Sequence, residues 1–113
     1  MVRDYVHVQD IAEAYLLLAE RMQNRALHGQ AFNFATGKPL SVLEITRLIL
    51  SVAGRQDLEP IILNESRAEI RRQFLSSERA RALLGWEPIG ETADRLGETI
   101  QWYRDYRPAR AGA

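Results

Sequence analysis

The sequence predicts an α+β fold, and three observations carry that reading. Four stretches show the three-to-four-residue apolar spacing of amphipathic helices, and several short runs between them read as strands. Helical and strand-like stretches do not recur at the regular spacing of βαβ units, which argues against a doubly wound sheet. The chain has 113 residues, 46% of them hydrophobic. That suits one domain with a real core and much of its surface in water.

The elements follow in order. Tyr5-Val6-His7-Val8 reads as an opening strand. Asp10 then suits a helix N-cap, and Glu13 three residues on completes a capping-box pattern. The helix carries Ile11, Ala12, Tyr15, Leu18, Ala19 and Met22 on one stripe. Ala31-Phe32-Asn33-Phe34-Ala35 alternates like a strand and runs into a turn at Thr36-Gly37-Lys38-Pro39. Ser41-Val42-Leu43-Glu44 is a second capping box, opening a helix with Val42, Ile45, Leu48, Ile49 and Val52 inward and Gly54 as its left-handed stop. Pro60-Ile61-Ile62-Leu63 reads as a short strand, residues 64–72 as a charged loop, and Gln73-Phe74-Leu75 as an edge strand. A brief helix capped by Ser76 or Ser77 carries Ala80, Leu83 and Leu84 and stops at Gly85. The last helix runs from about Glu91 to Tyr106 with Ala93, Leu96, Ile100 and Tyr103 inward. Residues 1–107 make the domain, and residues 108–113 read as a disordered tail.

Composition excludes several classes. Fifteen basic residues balance fifteen acidic ones, so no basic excess points to nucleic acid. The absence of cysteine removes disulfides and cysteine-bound metal, and fits a cytoplasmic protein. No apolar run approaches the ~18 residues of a membrane span, and the N-terminus has no signal-peptide pattern. His7 and His28 lack acidic ligands at helical spacing, so no metal site is expected.

The motifs, taken in order, resemble a known family. Arg3-Asp4-Tyr5-Val6-His7-Val8-x-Asp10-Ile11-Ala12 resembles the start of the C-terminal segment of extended short-chain dehydrogenase/reductases, the NAD-dependent nucleotide-sugar epimerases and dehydratases. Phe32 to Gly37 resembles the family's Tyr-Asn-hydrophobic-Gly-x-Gly strand and turn. Ser76 to Pro88 resembles its Asp-x-Ser-Lys-Ala-x-x-x-Leu-Gly-Trp-x-Pro, and Thr99-Ile100-x-Trp102-Tyr103 its final helix. Glu69-Ile70-x-x-Gln73-x-Leu75-Ser76 is most similar to sugar-nucleotide 4,6-dehydratases, CDP-glucose 4,6-dehydratase in particular. The resemblance implies a small substrate-binding domain without its Rossmann half, holding a nucleotide-diphosphate sugar while a Rossmann domain, in cis or in trans, performs the chemistry.

Departures from the family are as informative. The family's Gly-x-x-Gly-x-x-Gly cofactor turn is absent, and the only lysine, Lys38, has Phe34 rather than Tyr four residues before it. No catalytic residue and no cofactor are therefore assigned to this chain alone, and NAD is implied for the complete enzyme. Ala35 stands where the family has glycine. A fragment, a truncated gene product and one chain of a split enzyme all remain open.

Site residues follow from the resemblance. Arg3 matches an arginine that reaches the substrate diphosphate, for which a planar guanidinium is suited. The plain alternative is a surface arginine, or one paired with Asp4. Arg67 lies where the family has a second phosphate-binding arginine; the spacing to Leu84-Gly85-Trp86 differs by about one residue from the epimerase pattern, so Arg71 or Arg72 could take the role, and Glu69 is in position for a ribose hydroxyl. A solvated charged loop is the plain alternative for all of these. Asp4 is read as ordering local backbone or Arg3, His7 as structural, and Trp86 and Trp102 as core or interface residues. Leu16, Leu17, Leu43, Leu50 and Trp102 fall beside the helical stripes, so self-association or exchange of elements between copies is expected. From another class, a non-enzymatic interaction or dimerisation module that kept the fold also stays open.

Overall fold

A computed structural model describes residues 1–65 and 68–106. Arg67 and the tail at 108–113 lie outside the described residues. Among those described, the order is β1 (Val2–Arg3), α1 (Val8–Arg21), one 3-10 turn (Arg25–Leu27), β2 (Leu40–Ser41), α2 (Val42–Val52), β3 (Arg72–Gln73), α3 (Glu78–Leu84) and α4 (Thr92–Tyr106). The strands form a sheet of order β2-β1-β3. In it β1 runs antiparallel to β2 and parallel to β3, with Arg3 opposite Leu40 on one side and Gln73 on the other. The α+β expectation holds. No described helix is long and apolar enough to cross a membrane.

The core lies where α1 meets α3. Ala14 and Ala80 are fully buried, and such small side chains let two helices approach closely. Leu84 and Trp86 complete the cluster, with Leu17, Leu18, Leu27, Phe32 and Phe34 packed against it. Trp86 arrives there because Gly85 takes the left-handed conformation, φ 66°, that ends α3. The Gly85 N–H then bonds back to the Arg81 carbonyl, the 5→1 bond of a left-handed helix cap, and the Trp86 N–H bonds to the Ala80 carbonyl. The Phe34 ring meets Trp86 edge-on at 5.1 Å. α2 packs separately on α4 and buries Ile45.

Asp10 is not an N-cap. His7 takes that position, its Nδ1 accepting the Gln9 N–H at 3.2 Å, and α1 starts at Val8. Asp10 therefore falls within the first turn, 2% exposed, where its Oδ1 accepts from Arg95 Nη2 at 2.7 Å and from the Ile89 N–H at 3.3 Å. The Trp86 indole donates to the Asp10 carbonyl at 3.1 Å. Arg95 also bonds Glu98 at 2.7 Å and Gln9 at 3.1 Å. Glu98 first, and Asp10 after it, raise the Arg95 guanidinium above its ordinary range against the opposing effect of burial. The inward stripe of α1 is accordingly Asp10, Ala14, Leu17 and Leu18, while Tyr15 and Met22 face outward, 69% and 60% exposed.

Four strand expectations need correction. The opening strand is Val2–Arg3 rather than Tyr5–Val8, because its neighbours β2 and β3 are each two residues long and pair only there. Residues 31–35 form no ladder. Side chains satisfy their carbonyls instead, Arg79 bonding Ala31 at 3.2 Å and Ser77 bonding Ala35 at 3.1 Å. Residues 60–63 are irregular, and Ile61, Ile62 and Leu63 are largely exposed. The edge strand before α3 is Arg72–Gln73, so it starts one residue earlier than expected and excludes Phe74 and Leu75. Within α4 the expectation that Tyr103 faces inward also fails, since it is 59% exposed. The Ser41–Glu44 capping box and the left-handed Gly54 are as the sequence predicts.

Breaking the Asp10–Arg95 pair leaves a buried charge without its partner. Arg95→Met is expected to cost about 3 kcal/mol or more in urea unfolding, because it strands the buried Asp10 carboxylate, whereas Lys38→Ala, at the exposed Lys38–Glu91 pair, should cost under about 1 kcal/mol. Hydrogen bonds from Ser41, hydroxyl first and backbone second, hold the Glu44 carboxyl below its ordinary range. Its contribution is therefore complete above the unfolded carboxylate range and is lost as pH falls through the lower folded one. Glu44→Gln should narrow its stability gap to the parent chain as pH drops; a gap that widens on acidification would contradict the capping role.

Candidate functional site

Arg3 sits on the central strand, half-buried between β2 and β3. Its Nη1 donates to the Val2 carbonyl at 2.8 Å, which steadies the guanidinium on the sheet. Beside it lies a cavity of about 200 Å³, lined by Arg3, Asp4, Val6, Phe34, Ala35, Gln73, Phe74 and Leu75. Ala35 is buried in this wall with its carbonyl taken by Ser77, so the position that is glycine in the family is here a filled, fixed surface.

Asp4 does not pair with Arg3. Its Oδ1 accepts from the Thr36 N–H at 2.8 Å and the Thr36 hydroxyl at 2.7 Å, and its Oδ2 accepts from the Gly37 N–H at 2.8 Å. The carboxylate thus orders backbone as expected, but backbone more than thirty residues away rather than local. Gly37 adopts φ 74°, the left-handed turn that lets successive N–H groups converge on one carboxylate. With Asp4 satisfied, no carboxylate forms an ion pair with Arg3 among the described residues. Arg3 therefore lines the cavity with its guanidinium in no ion pair among the described residues.

The other sequence candidates divide. Arg71 is exposed, and its carbonyl accepts the Val2 N–H at 2.8 Å, so its backbone runs beside β1. Arg72 lies over the Phe74 ring at 5.9 Å from the centroid, and Phe74 lines the cavity. Glu69 is exposed and does not line the cavity. Gln73 and Phe74 do line it, and reading the sequence as candidate residues did not select them. Only the parallel pairing of β1 with β3 brings Gln73 opposite Arg3. A larger cavity, about 300 Å³, lies among Tyr5, His7, Thr36, Leu96 and Thr99. Its charged groups, Asp10 and Arg95, neutralise each other, so it offers an anion no free cation.

A dinucleotide cofactor does not fit these residues. Its pyrophosphate requires a glycine turn opening onto a free helix N-terminus. The N-terminus of α2, which follows Gly37, is closed by its own side chain, the Glu44 carboxylate accepting the Ser41 N–H at 2.7 Å. A pyrophosphate there would meet a carboxylate.

No family model matches the chain. It is 34% identical over 103 residues to a UDP-glucose 4-epimerase of Mycolicibacterium smegmatis, covering 91% of this chain and 31% of that protein. Among solved structures, the UDP-glucose 4-epimerase of Thermotoga maritima with UDP-glucose superposes with a TM-score of 0.77 at 30% identity, covering 92% of this chain and 32% of that one. The dTDP-glucose 4,6-dehydratase of Bacillus anthracis in complex with NAD shares the fold, with a TM-score of 0.72 at 24% identity over 93% of this chain and 32% of that one. The chain thus spans about a third of the length of the curated relatives it matches. Motif order, fold and relatives agree: over that third, the chain is similar in sequence and in fold to UDP-glucose 4-epimerases.

Proposed function

We propose that the chain is the nucleotide-sugar-binding portion of an NAD-dependent sugar-nucleotide epimerase/dehydratase, with Arg3 as its diphosphate-binding cation. The observation that carries the reading is the unpaired Arg3 guanidinium, fixed on the central strand beside a cavity whose one carboxylate is already satisfied. A diphosphate placed there meets a planar donor that no carboxylate occupies among the described residues. Arg71 and Arg67 supply further cations from the neighbouring segment, and Glu69 is left for a ribose hydroxyl. Phe74 and Leu75, about half exposed at the cavity, form an apolar edge that a further domain can cover.

The NAD and the acid–base residues belong to a Rossmann domain, in cis or in trans, since this chain has neither the cofactor turn nor a tyrosine four residues before its lysine. For the complete enzyme we take 4,6-dehydration from the Glu69-to-Ser76 pattern. The similarity to UDP-glucose 4-epimerases supports 4-epimerisation equally well. Both reactions act on the same class of substrate, so the binding role does not depend on the choice.

Calorimetric titration of the chain with UDP-glucose, dTDP-glucose and CDP-glucose tests this. Binding of at least one ligand is expected, weakened about tenfold or more by Arg3→Ala, a loss of roughly 1.4 kcal/mol. Silence across the panel, or full-strength binding by the Arg3→Ala chain, would overturn the assignment.

A further inference from the structure

Three segments wall the Arg3 cavity, at residues 3–6, 34–35 and 73–75. Each is tied to the next. The ladder between β1 and β3 joins the first to the third, with Arg3 opposite Gln73. The buried Ser77 hydroxyl, just past Leu75, donates to the Ala35 carbonyl at 3.1 Å and joins the third to the second. Asp4 closes the ring. Its carboxylate accepts the Thr36 N–H at 2.8 Å, the Thr36 hydroxyl at 2.7 Å and the Gly37 N–H at 2.8 Å, immediately after the Ala35 wall. Among the described residues these are the only hydrogen bonds between residues 1–6 and residues 31–37. The Thr36 oxygen is held from behind as well, accepting the Lys38 N–H at 3.1 Å.

We propose that Asp4 is a positioning residue for the anion that Arg3 binds, acting through the Thr36–Gly37 turn to hold the Ala35 wall in register with the guanidinium. The inference rests on the diphosphate reading of the cavity. Charge and geometry pull in opposite directions here, so the sign of one substitution separates them. Asp4 carries its negative charge beside Arg3 in the sequence, and Coulomb's law alone makes the removal of that charge strengthen anion binding. Hydrogen bonds to a carboxylate are among the stronger ones, so the same removal also loosens the turn and the wall attached to it. A wall that must be ordered when the ligand arrives lowers affinity, and a planar guanidinium is exacting about where the anion sits. Geometry outweighs charge because three bonds are lost at once and no other hydrogen bond joins these two segments among the described residues.

Calorimetric titration of the full chain with UDP reads the sign. Asp4→Asn, close to isosteric and uncharged, should weaken binding about fivefold or more with an unchanged circular dichroism spectrum. Thr36→Val changes no charge, keeps both N–H donors and lies outside the cavity lining, so it should weaken binding in the same direction by less. It also carries the test if the Asp4 variant unfolds. A residue that served stability alone would lower the urea midpoint in both variants and leave the affinity of the folded chain unchanged. If the parent chain binds UDP and Arg3→Ala weakens it, while Asp4→Asn and Thr36→Val bind as tightly as the parent or more tightly, the positioning role is overturned and the diphosphate reading stands. Silence of the parent chain overturns both.

Discussion

Everything in the fold is arranged around a carboxylate that water cannot reach. Asp10 is 2% exposed at the junction of α1, the connection at residues 86–90 and α4. A buried charge left alone costs several kcal/mol, so the chain must bring Arg95 to it across 85 residues of sequence. That requirement docks the start of α4 on the start of α1. The Ile89 N–H and the Trp86 indole, bonded to the side chain and the carbonyl of the same residue, fix the connection between α3 and α4. Once Trp86 is fixed, Phe34 has a surface to pack on, and Phe34 is one wall of the cavity beside Arg3. The polar contacts of Asp10 thus help to shape one wall of the cavity beside Arg3.

A second carboxylate completes the arrangement. Asp4, one residue after β1, gathers the Thr36 and Gly37 N–H groups and the Thr36 hydroxyl. It ties the irregular segment at residues 31–36 to the sheet without a strand ladder. Its carboxylate oxygens are thereby engaged with neutral donors rather than with the Arg3 guanidinium. Asp4 and Arg3 are adjacent in sequence, and successive side chains of extended chain point to opposite faces. The fold separates their tasks, one building the wall and the other facing the cavity.

Features set by neighbouring residues were legible in the sequence. The Ser41–Glu44 box needs only a four-residue spacing, and the helix stops at Gly54 and Gly85 need only a residue tolerant of positive φ. Features set by distant partners were not. Asp10, with Glu13 three residues on, has the appearance of a cap, and only Arg95 shows that it is buried. Residues 31–35 alternate like a strand because Phe32 and Phe34 face the core, yet their carbonyls bond the Arg79 and Ser77 side chains instead of a neighbouring strand. At the site, Arg3 emerged from the resemblance of its motif, whereas Gln73 and Phe74 emerged only from the register of two-residue strands. Strands that short leave almost no periodicity to read.

The proposed meeting point of a nucleoside diphosphate with this chain is the Arg3 cavity. A ¹⁵N–¹H spectrum titrated with UDP locates the contact directly. The account predicts that the Arg3 side-chain Nε–H and the backbone resonances of Gln73 and Leu75 move together and saturate, while the Trp102 indole stays in place. Shifts centred on the larger cavity at Tyr5 and Thr99, with Arg3 unmoved, would contradict it.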